Sequence, residues 1–311
     1  MFLHQLPDVQ ELFEVVAKEK GFLPAIVEKD YWLMHLLWGL KQQGFDFALK
    51  GGTSLSKGFD IIHRFSEDVD IRIEPEVGDQ VKMGKEHNKP AHIQSRKTFF
   101  EKLLKKFSVT GFHFARDSSF DDLKMRSAGI RAHYISRFNQ IDSLKEGVLL
   151  EVGFDQVSPS LSCIITSWAY EKASELKLDI FDNRAKDVAC YCPEYTFVEK
   201  LQAISTKYRN QQTTNSLPAN FIRHYYDVYQ LLGDERVLDF IGTPAYFEHK
   251  EHRFRNADEK DLQQNPAFTL SDKNTRALYE NEYRKKSALY FERQPDFQEI
   301  LDRLSAYLAQ L

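Results

Sequence analysis

The feature that most narrows what this chain can become is the run "DVDIRI", Asp68–Ile73. Read as a β-strand, it alternates its side chains, so Asp68, Asp70 and Arg72 share one face while Val69, Ile71 and Ile73 share the other. The apolar face requires a core beneath the strand. The polar face sets two carboxylates side by side, which is costly unless positive charge lies between them.

What precedes this strand fits the same purpose. Residues 45–50 read as a strand, Gly51 and Gly52 follow, and 53–59 read as a short helix. Glycines without Cβ let a turn bring main-chain N–H groups close to a ligand, and the helix that follows offers its positive end to phosphate oxygens. Thr53 and Ser54 add hydroxyls, and Lys50 beside the glycines adds a cation. Asp68 and Asp70 suit a hard divalent ion such as Mg²⁺, which completes its shell with water and the phosphates of a nucleotide. Arg64 and Ser66 stand just ahead of the aspartates and are expected to brace their loop, with Ser66 on the nucleotide side.

A two-metal arrangement needs a further carboxylate. In "GVLLEVGFDQ", strand alternation puts Leu149, Glu151 and Gly153 on one face, so Glu151 is the candidate third metal ligand and Asp155, of the same parity, the alternative. The other reading of Glu151 is an exposed residue of an edge strand.

Two helical patterns, 8–18 and 24–41, precede the glycine turn. Residues 91–107 resume helical spacing after a loop over 78–90. Candidate strands follow at 109–115, 130–138 and 148–154, with Gly111, Gly129 and Gly147 near their ends. Beyond Pro193 the periodicity turns helical over 196–209, 219–232 and 295–310, and "NQQTTNSLP" at 210–218 reads as a loop. The expected architecture is an α/β (α+β) domain with a mixed central sheet over 1–192, followed by a C-terminal α-helical bundle over 193–311. His35, within an apolar helix, reads as a satisfied core residue, and Tyr225, Tyr226 and Tyr229 as helix packing.

Composition sets limits on these readings. A length of 311 residues accommodates two domains, and 42% hydrophobic with 28% charged residues is the balance of a soluble globular chain. The longest uncharged apolar stretch, "YWLMHLLWGL" at 31–40, is too short to span a bilayer. With no basic segment leading into an apolar one at the N-terminus, the expected location is the cytoplasm. Cys163, Cys190 and Cys192 make neither a disulfide framework nor a zinc site. Net charge is −4, yet Lys82 to Lys106 holds eight Lys or Arg residues against Glu86 and Glu101. That stretch is either attractive to RNA or polyphosphate, or a solvated helix face.

"LKGGTSL" followed by "HRFSEDVDI" resembles the nucleotidyltransferases of the AbiEii/AbiGii toxin family, within the DNA polymerase β-like superfamily. "EKDYW" at 28–32 is similar to a segment ahead of that family's glycine motif. "FVEKLQAI" and "RHYYDVYQL" are similar to its downstream Lys and Asp motifs. The gap from Gly52 to Asp68 is slightly longer than in the broader superfamily.

The resemblance implies a catalytic set of Asp68, Asp70, Lys200 and Asp227, with Lys200 on the nucleotide phosphates and Asp227 orienting it or the acceptor. From the residues alone, Lys200 and Asp227 read as a structural ion pair between packed helices, and Arg223, four residues before Asp227 on one helix, is placed to pair with it. The activity implied is Mg²⁺-dependent transfer of a nucleoside monophosphate from an NTP to an acceptor hydroxyl, with release of pyrophosphate. In biology this implies the growth-inhibiting toxin of a toxin–antitoxin or phage-defence pair, with tRNA acceptor ends as target and a cognate antitoxin as partner, and no membrane. The alternatives are a small-molecule nucleotidyltransferase of the aminoglycoside-modifying kind, and a catalytically silent nucleotide- or RNA-binding module.

Overall fold

A computed structural model describes residues 1–139, 144–291 and 293–311. The chain divides into two compact units, one of residues 1–59 and 65–191, the other of 60–64 and 192–311.

The first unit is built on a seven-stranded sheet. Helices α1 (Val9–Lys20) and α2 (Pro24–Gln42) lead into β1 (Phe47–Lys50), the short α3 (Gly51–Thr53) with a wider turn over Ser54–Gly58, and β2 (Asp68–Ile73). Then come α4 (Pro90–Lys106), β3 (His113–Asp117), β4 (Ser127–His133), β5 (Val148–Gly153), β6 (Ser160–Ile165), α5 (Trp168–Glu175) and β7 (Ala185–Tyr191). The strand order is β3-β4-β5-β2-β1-β7-β6. β1 runs antiparallel to β2 and parallel to β7, and β2 runs parallel to β5, so the sheet is mixed as expected.

α1 stops where Gly21 takes a left-handed conformation, φ 73°, and its N–H bonds the Ala17 carbonyl. Pro24 opens α2, where its missing N–H is no loss. α2 is buried on nearly every side, as a helix apolar all round must be. His35 is satisfied within it, one ring nitrogen 3.1 Å from the Thr110 carbonyl and the other 2.8 Å from the Asn183 amide. None of the three cysteines is joined in a disulfide among the described residues.

The second unit is helical: α6 (Pro193–Thr214), α7 (Arg223–Leu231), α8 (Glu235–Phe240), α9 (Pro244–Arg253), α10 (Pro266–Thr269), α11 (Lys273–Arg284) and α12 (Phe297–Tyr307). Residues 60–64 join it by main-chain pairing, with a bridge from Arg64 to Tyr290 and an N–H from Phe291 to the His63 carbonyl. Tyr225 and Tyr226 are fully buried, as packing residues.

Several elements differ from the sequence reading. The loop at 210–218 starts late because α6 continues to Thr214, stopped by Asn215 in a left-handed conformation, while Gln211 is buried and bonded to Tyr279. The strand expected at 109–115 is displaced to His113–Asp117, since Gly111 turns the chain at φ 89°. The strand expected at 130–138 is Ser127–His133. The helix expected at 53–59 begins at Gly51. β6, β7, α5 and the helices between α7 and α12 had no counterpart in the sequence reading.

Candidate active site

The sheet places the acids of β2 as alternation requires. Val69, Ile71 and Ile73 are buried in the core, while Asp70 and Arg72 on the opposite face are half-buried. Register carries this face across the sheet. Lys50 of β1 pairs with Asp70, Asp70 with Glu151 of β5, and Glu151 with Gly129 of β4. Paired residues on neighbouring strands point the same way, so Lys50, Asp70 and Glu151 form one transverse row.

Gly51 is a glycine for two independent reasons. Its φ is 68°, and a Cβ there would lie 2.3 Å from Asp70 Oδ2. The carboxylate thus rests against the bare main chain of the glycine turn, and any side chain would evict it.

Asp68 is held differently. Lys145 donates from Nζ to both of its carboxylate oxygens, at 2.9 and 2.8 Å. Lys145 is itself fixed at both main-chain groups: its N–H donates to Glu67 Oε1 at 3.3 Å, and its carbonyl accepts from Lys29 Nζ at 2.7 Å. Lys29 belongs to the "EKDYW" segment in α2 and is buried, which pushes its ammonium down to about 8 against the pull of Glu67 and Asp68.

Its neighbours are spent in the same way. Glu28 accepts from Ser136 Oγ at 2.6 Å and from the Arg137 N–H at 3.0 Å, and Asp30 accepts from the Trp168 N–H at 2.9 Å and pairs with Lys57. These three buried side chains on one helix therefore anchor the chain at 136–137, at 145, and at 57 and 168, each through a polar or charged partner.

The hydroxyls of the glycine turn serve the fold. Thr53 Oγ1 donates to the Asp68 carbonyl at 2.7 Å, and Ser54 Oγ to the Tyr191 carbonyl at 3.3 Å; both residues are buried. Gly52 and Ser66 are buried as well. Lys50 Nζ lies 2.9 Å from Asp155 Oδ2, so the alternative third carboxylate holds the lysine beside the glycines. In the basic stretch, Lys102 pairs with Asp79 at 2.5 Å and Lys106 with Glu76 at 2.5 Å, which neutralises part of its charge.

In the second unit, Asp227 is fully buried between two cations. Arg64 grips it with both arms, Nε to Oδ1 at 2.7 Å and Nη2 to Oδ2 at 2.9 Å, and Lys200 Nζ adds a contact at 2.8 Å. Burial works against a charged carboxylate, but Arg64 and Lys200 overcome it and hold Asp227 well below the ordinary range. Lys200 is pushed down from the usual lysine value by burial, with Arg64 and Arg223 acting in the same direction and Asp227 against.

Arg64 secures Asp227. One expectation is corrected. Arg223 shares a helix with Asp227 but does not pair with it, because the carboxylate points inward to the bidentate fork of Arg64.

The sequence model of the nucleotidyl transferase AbiEii toxin family, of type IV toxin–antitoxin systems, matches residues 35–303. The chain belongs to the AbiEii family. It is thus a nucleotidyltransferase toxin of a type IV toxin–antitoxin system. Among solved structures it is similar to an antigenic nucleotidyltransferase-like protein from Paracoccidioides brasiliensis, with a TM-score of 0.36 and 13% identity, covering 73% of this chain and 94% of that one. No curated protein matches the chain. No described helix is long and apolar enough to cross a membrane.

For this AbiEii chain the sheet brings Lys50, Gly51, Asp70 and Glu151 together, with Asp68 two residues along the same strand face. Lys200 and Asp227 are brought together in the helical unit. Among the described residues, no group of three or more His, Cys, Asp and Glu side chains is gathered as around a metal ion. The donor set still fits a hard divalent cation, being carboxylate oxygens on one strand face and its neighbour. Asp68 already holds a positive group there, the ammonium of Lys145. Lys145 and Lys29 escaped the sequence reading. The one available signal was the charged triplet Glu28-Lys29-Asp30 inside an apolar helix, since three charges buried together demand partners.

Proposed function

We propose that this AbiEii nucleotidyltransferase moves a nucleoside monophosphate from an NTP to a hydroxyl of RNA, such as the acceptor end of tRNA, with Mg²⁺, and so stops growth in the cytoplasm until a cognate antitoxin neutralises it. Phage defence is the setting this implies. The observation that carries the reading is Asp70 packed against the bare Gly51 turn, with Asp68 on the same face and Glu151 in register: carboxylates that suit a cation, gathered beside a glycine turn.

In this reading Asp68, Asp70 and Glu151 hold the divalent ion, which when bound supplies charge neutralisation on the phosphates and on the leaving pyrophosphate. The turn from Lys50 through Gly51, Gly52, Thr53 and Ser54, with Ser66 behind it, shapes the nucleotide cradle. Thr53 and Ser54 act by fixing that turn, and Lys50 adds positive charge. Lys200 binds NTP phosphates and Asp227, locked by Arg64, holds its ammonium in place. Lys29 and Lys145 keep the Asp68 carboxylate in one orientation.

The test is transfer of α-labelled NTPs, each in turn, to total tRNA or to a pool of small hydroxylated molecules, with Mg²⁺ or with a chelator. Label in tRNA, dependent on the metal, supports the proposal. Label confined to small molecules would transfer the reading to the aminoglycoside-modifying kind.

A further inference from the structure

The basic stretch over 82–106 divides in the structure. Its far end is neutralised, with Lys102 on Asp79 and Lys106 on Glu76. Its near end is not. Lys82, Lys85 and Lys89 are exposed, and among the described residues no carboxylate pairs with any of them. Glu86, the acid among these lysines, lies instead 3.1 Å from His87 Nε2.

A buried arginine gathers these lysines with another from a distant segment. Arg96 of α4 is fully buried and bonds main-chain carbonyls alone. Its Nε and Nη2 donate to the Lys124 carbonyl at 3.0 and 2.7 Å, and its Nη1 donates to the carbonyls of His87, at 3.1 Å, and of Lys82. Half-buried Arg126 fastens the same two segments, donating from Nη2 to the Lys85 carbonyl at 2.7 Å and to Asn88 Oδ1 at 2.9 Å. Lys124, exposed and likewise without a carboxylate, is thereby held beside the loop of Lys82, Lys85 and Lys89. Asp122, on the same turn, is engaged by the main-chain N–H groups of Lys124 and Arg126, at 2.9 and 3.2 Å. Two guanidiniums thus hold four ammonium side chains together against their mutual repulsion, which stabilises nothing in the fold by itself. Every link is made through main chain or Asn88, so the four lysine side chains stay open to a ligand.

The turn that carries Lys124 starts at the acidic face of the sheet. Phe120 packs over Gly129, where a Cβ would lie 2.8 Å from its own, and Gly129 pairs with Glu151. The Lys145 ammonium that holds Asp68 lies 4.9 Å from the centre of the Phe120 ring. Lys124 is four residues further on, so its main chain lies within about 14 Å of that of Phe120.

We propose that Lys82, Lys85, Lys89 and Lys124, with Arg126 joining their two segments, form the surface that grips the phosphate backbone of an RNA acceptor and leads it to the acids of β2 and β5. That the polyanion is RNA rests on the transfer reading above; the surface itself rests on the unpaired lysines and the guanidiniums that gather them. Exposed ammonium groups suit a polyanion held by charge and not by sequence, and counterions released from its backbone supply the affinity. The position of the surface beside the acids favours a substrate over a lipid headgroup layer.

The experiment measures binding of deacylated tRNA to the full-length protein in a chelator, without NTP, over a range of salt concentrations. It compares the unsubstituted protein with a variant combining Lys82→Gln, Lys85→Gln and Lys124→Gln, and with one combining Lys102→Gln and Lys106→Gln. The triple variant is expected to bind tRNA at least about tenfold more weakly, and its slope of log affinity against log salt should be shallower by about 2 to 3, at roughly 0.7–0.9 for each phosphate contact. The double variant removes cations that Glu76 and Asp79 already hold, and should lose less. Relieved of repulsion, the triple variant should melt no lower than the unsubstituted protein.

Unchanged affinity and slope in the triple variant, an equal or larger loss in the double variant, or a lower melting point of the triple variant would each overturn the proposal. So would lysine-dependent binding of phosphatidylserine vesicles without binding of tRNA. Failure of the transfer reading looks different. The protein would still grip tRNA through these lysines while the tRNA gained no nucleotide.

Discussion

Lys145 donates to both carboxylate oxygens of Asp68, at 2.9 and 2.8 Å, and its own carbonyl is held by Lys29. A residue 77 positions away thus supplies the positive charge that two aspartates on alternate positions require. The same contact competes with any metal ion for Asp68.

Lys145→Met is therefore expected to bind Mn²⁺ more tightly than the unsubstituted protein, by roughly tenfold or about 1.4 kcal/mol, as read by electron paramagnetic resonance of the free ion. Its metal-free form should be less stable to urea, since Asp68 is left uncompensated. Unchanged or weaker Mn²⁺ binding would contradict the competition.

Gly51→Ala places a Cβ 2.3 Å from Asp70 Oδ2 on a main chain at φ 68°. The left-handed conformation alone costs about 1–2 kcal/mol for a residue with a Cβ. The displaced carboxylate should remove transfer activity as well. Denaturant unfolding and labelled transfer measure the two effects separately, and an active variant with a lowered midpoint would show that Asp70 does not need this position.

Asp227 governs how stability responds to acid. Its folded carboxyl lies below the ordinary value of 3.8, so the stabilisation is present above that value and is lost only as pH falls through the lower, folded one. Asp227→Asn removes it at every pH and leaves Arg64 buried without its counter-charge, at a cost of about 3–5 kcal/mol. The difference between the two proteins in urea unfolding should stay flat from about pH 8 to about pH 5. A gap that closes by about pH 5 would mean that Asp227 is not held by its partners as described.

Lys200→Ala leaves the Arg64–Asp227 pair in place, so the variant should fold. It is expected to raise the KM for NTP at least about tenfold with a smaller change in kcat, the pattern of a lost ground-state contact to phosphate. An unchanged KM would return Lys200 to a purely structural role.

How much of this was legible in the sequence depended on how local each signal was. The alternation of "DVDIRI" is a period of two within six residues, and it placed Asp68 and Asp70 on one face with the core behind them. Parity also put Glu151 on the correct face of its strand. Lys145 and Arg64 were not legible as partners, because their contacts cross 77 and 163 positions and leave no spacing to read.

β6 escaped because as an edge strand it buries little beyond Ile165, so "SLSCII" shows no alternation, while β7 is interrupted by Asp187 at φ 52°. The polar end of α6 read as a loop because a helix exposed on most sides carries no apolar stripe. The helices from α8 to α11 are short or highly charged, for the same reason.

Whether Asp68 and Asp70 serve nucleotidyl transfer to RNA is decided by the mass of the acceptor. The protein is incubated with Mg²⁺, one NTP at a time and deacylated tRNA, and the intact RNA is weighed by mass spectrometry. A gain of one or more nucleoside monophosphate masses is expected with at least one NTP, and no gain with Asp68→Asn or Asp70→Asn in a protein that still folds. RNA of unchanged mass with all four NTPs, or an equal gain with either variant, would contradict it.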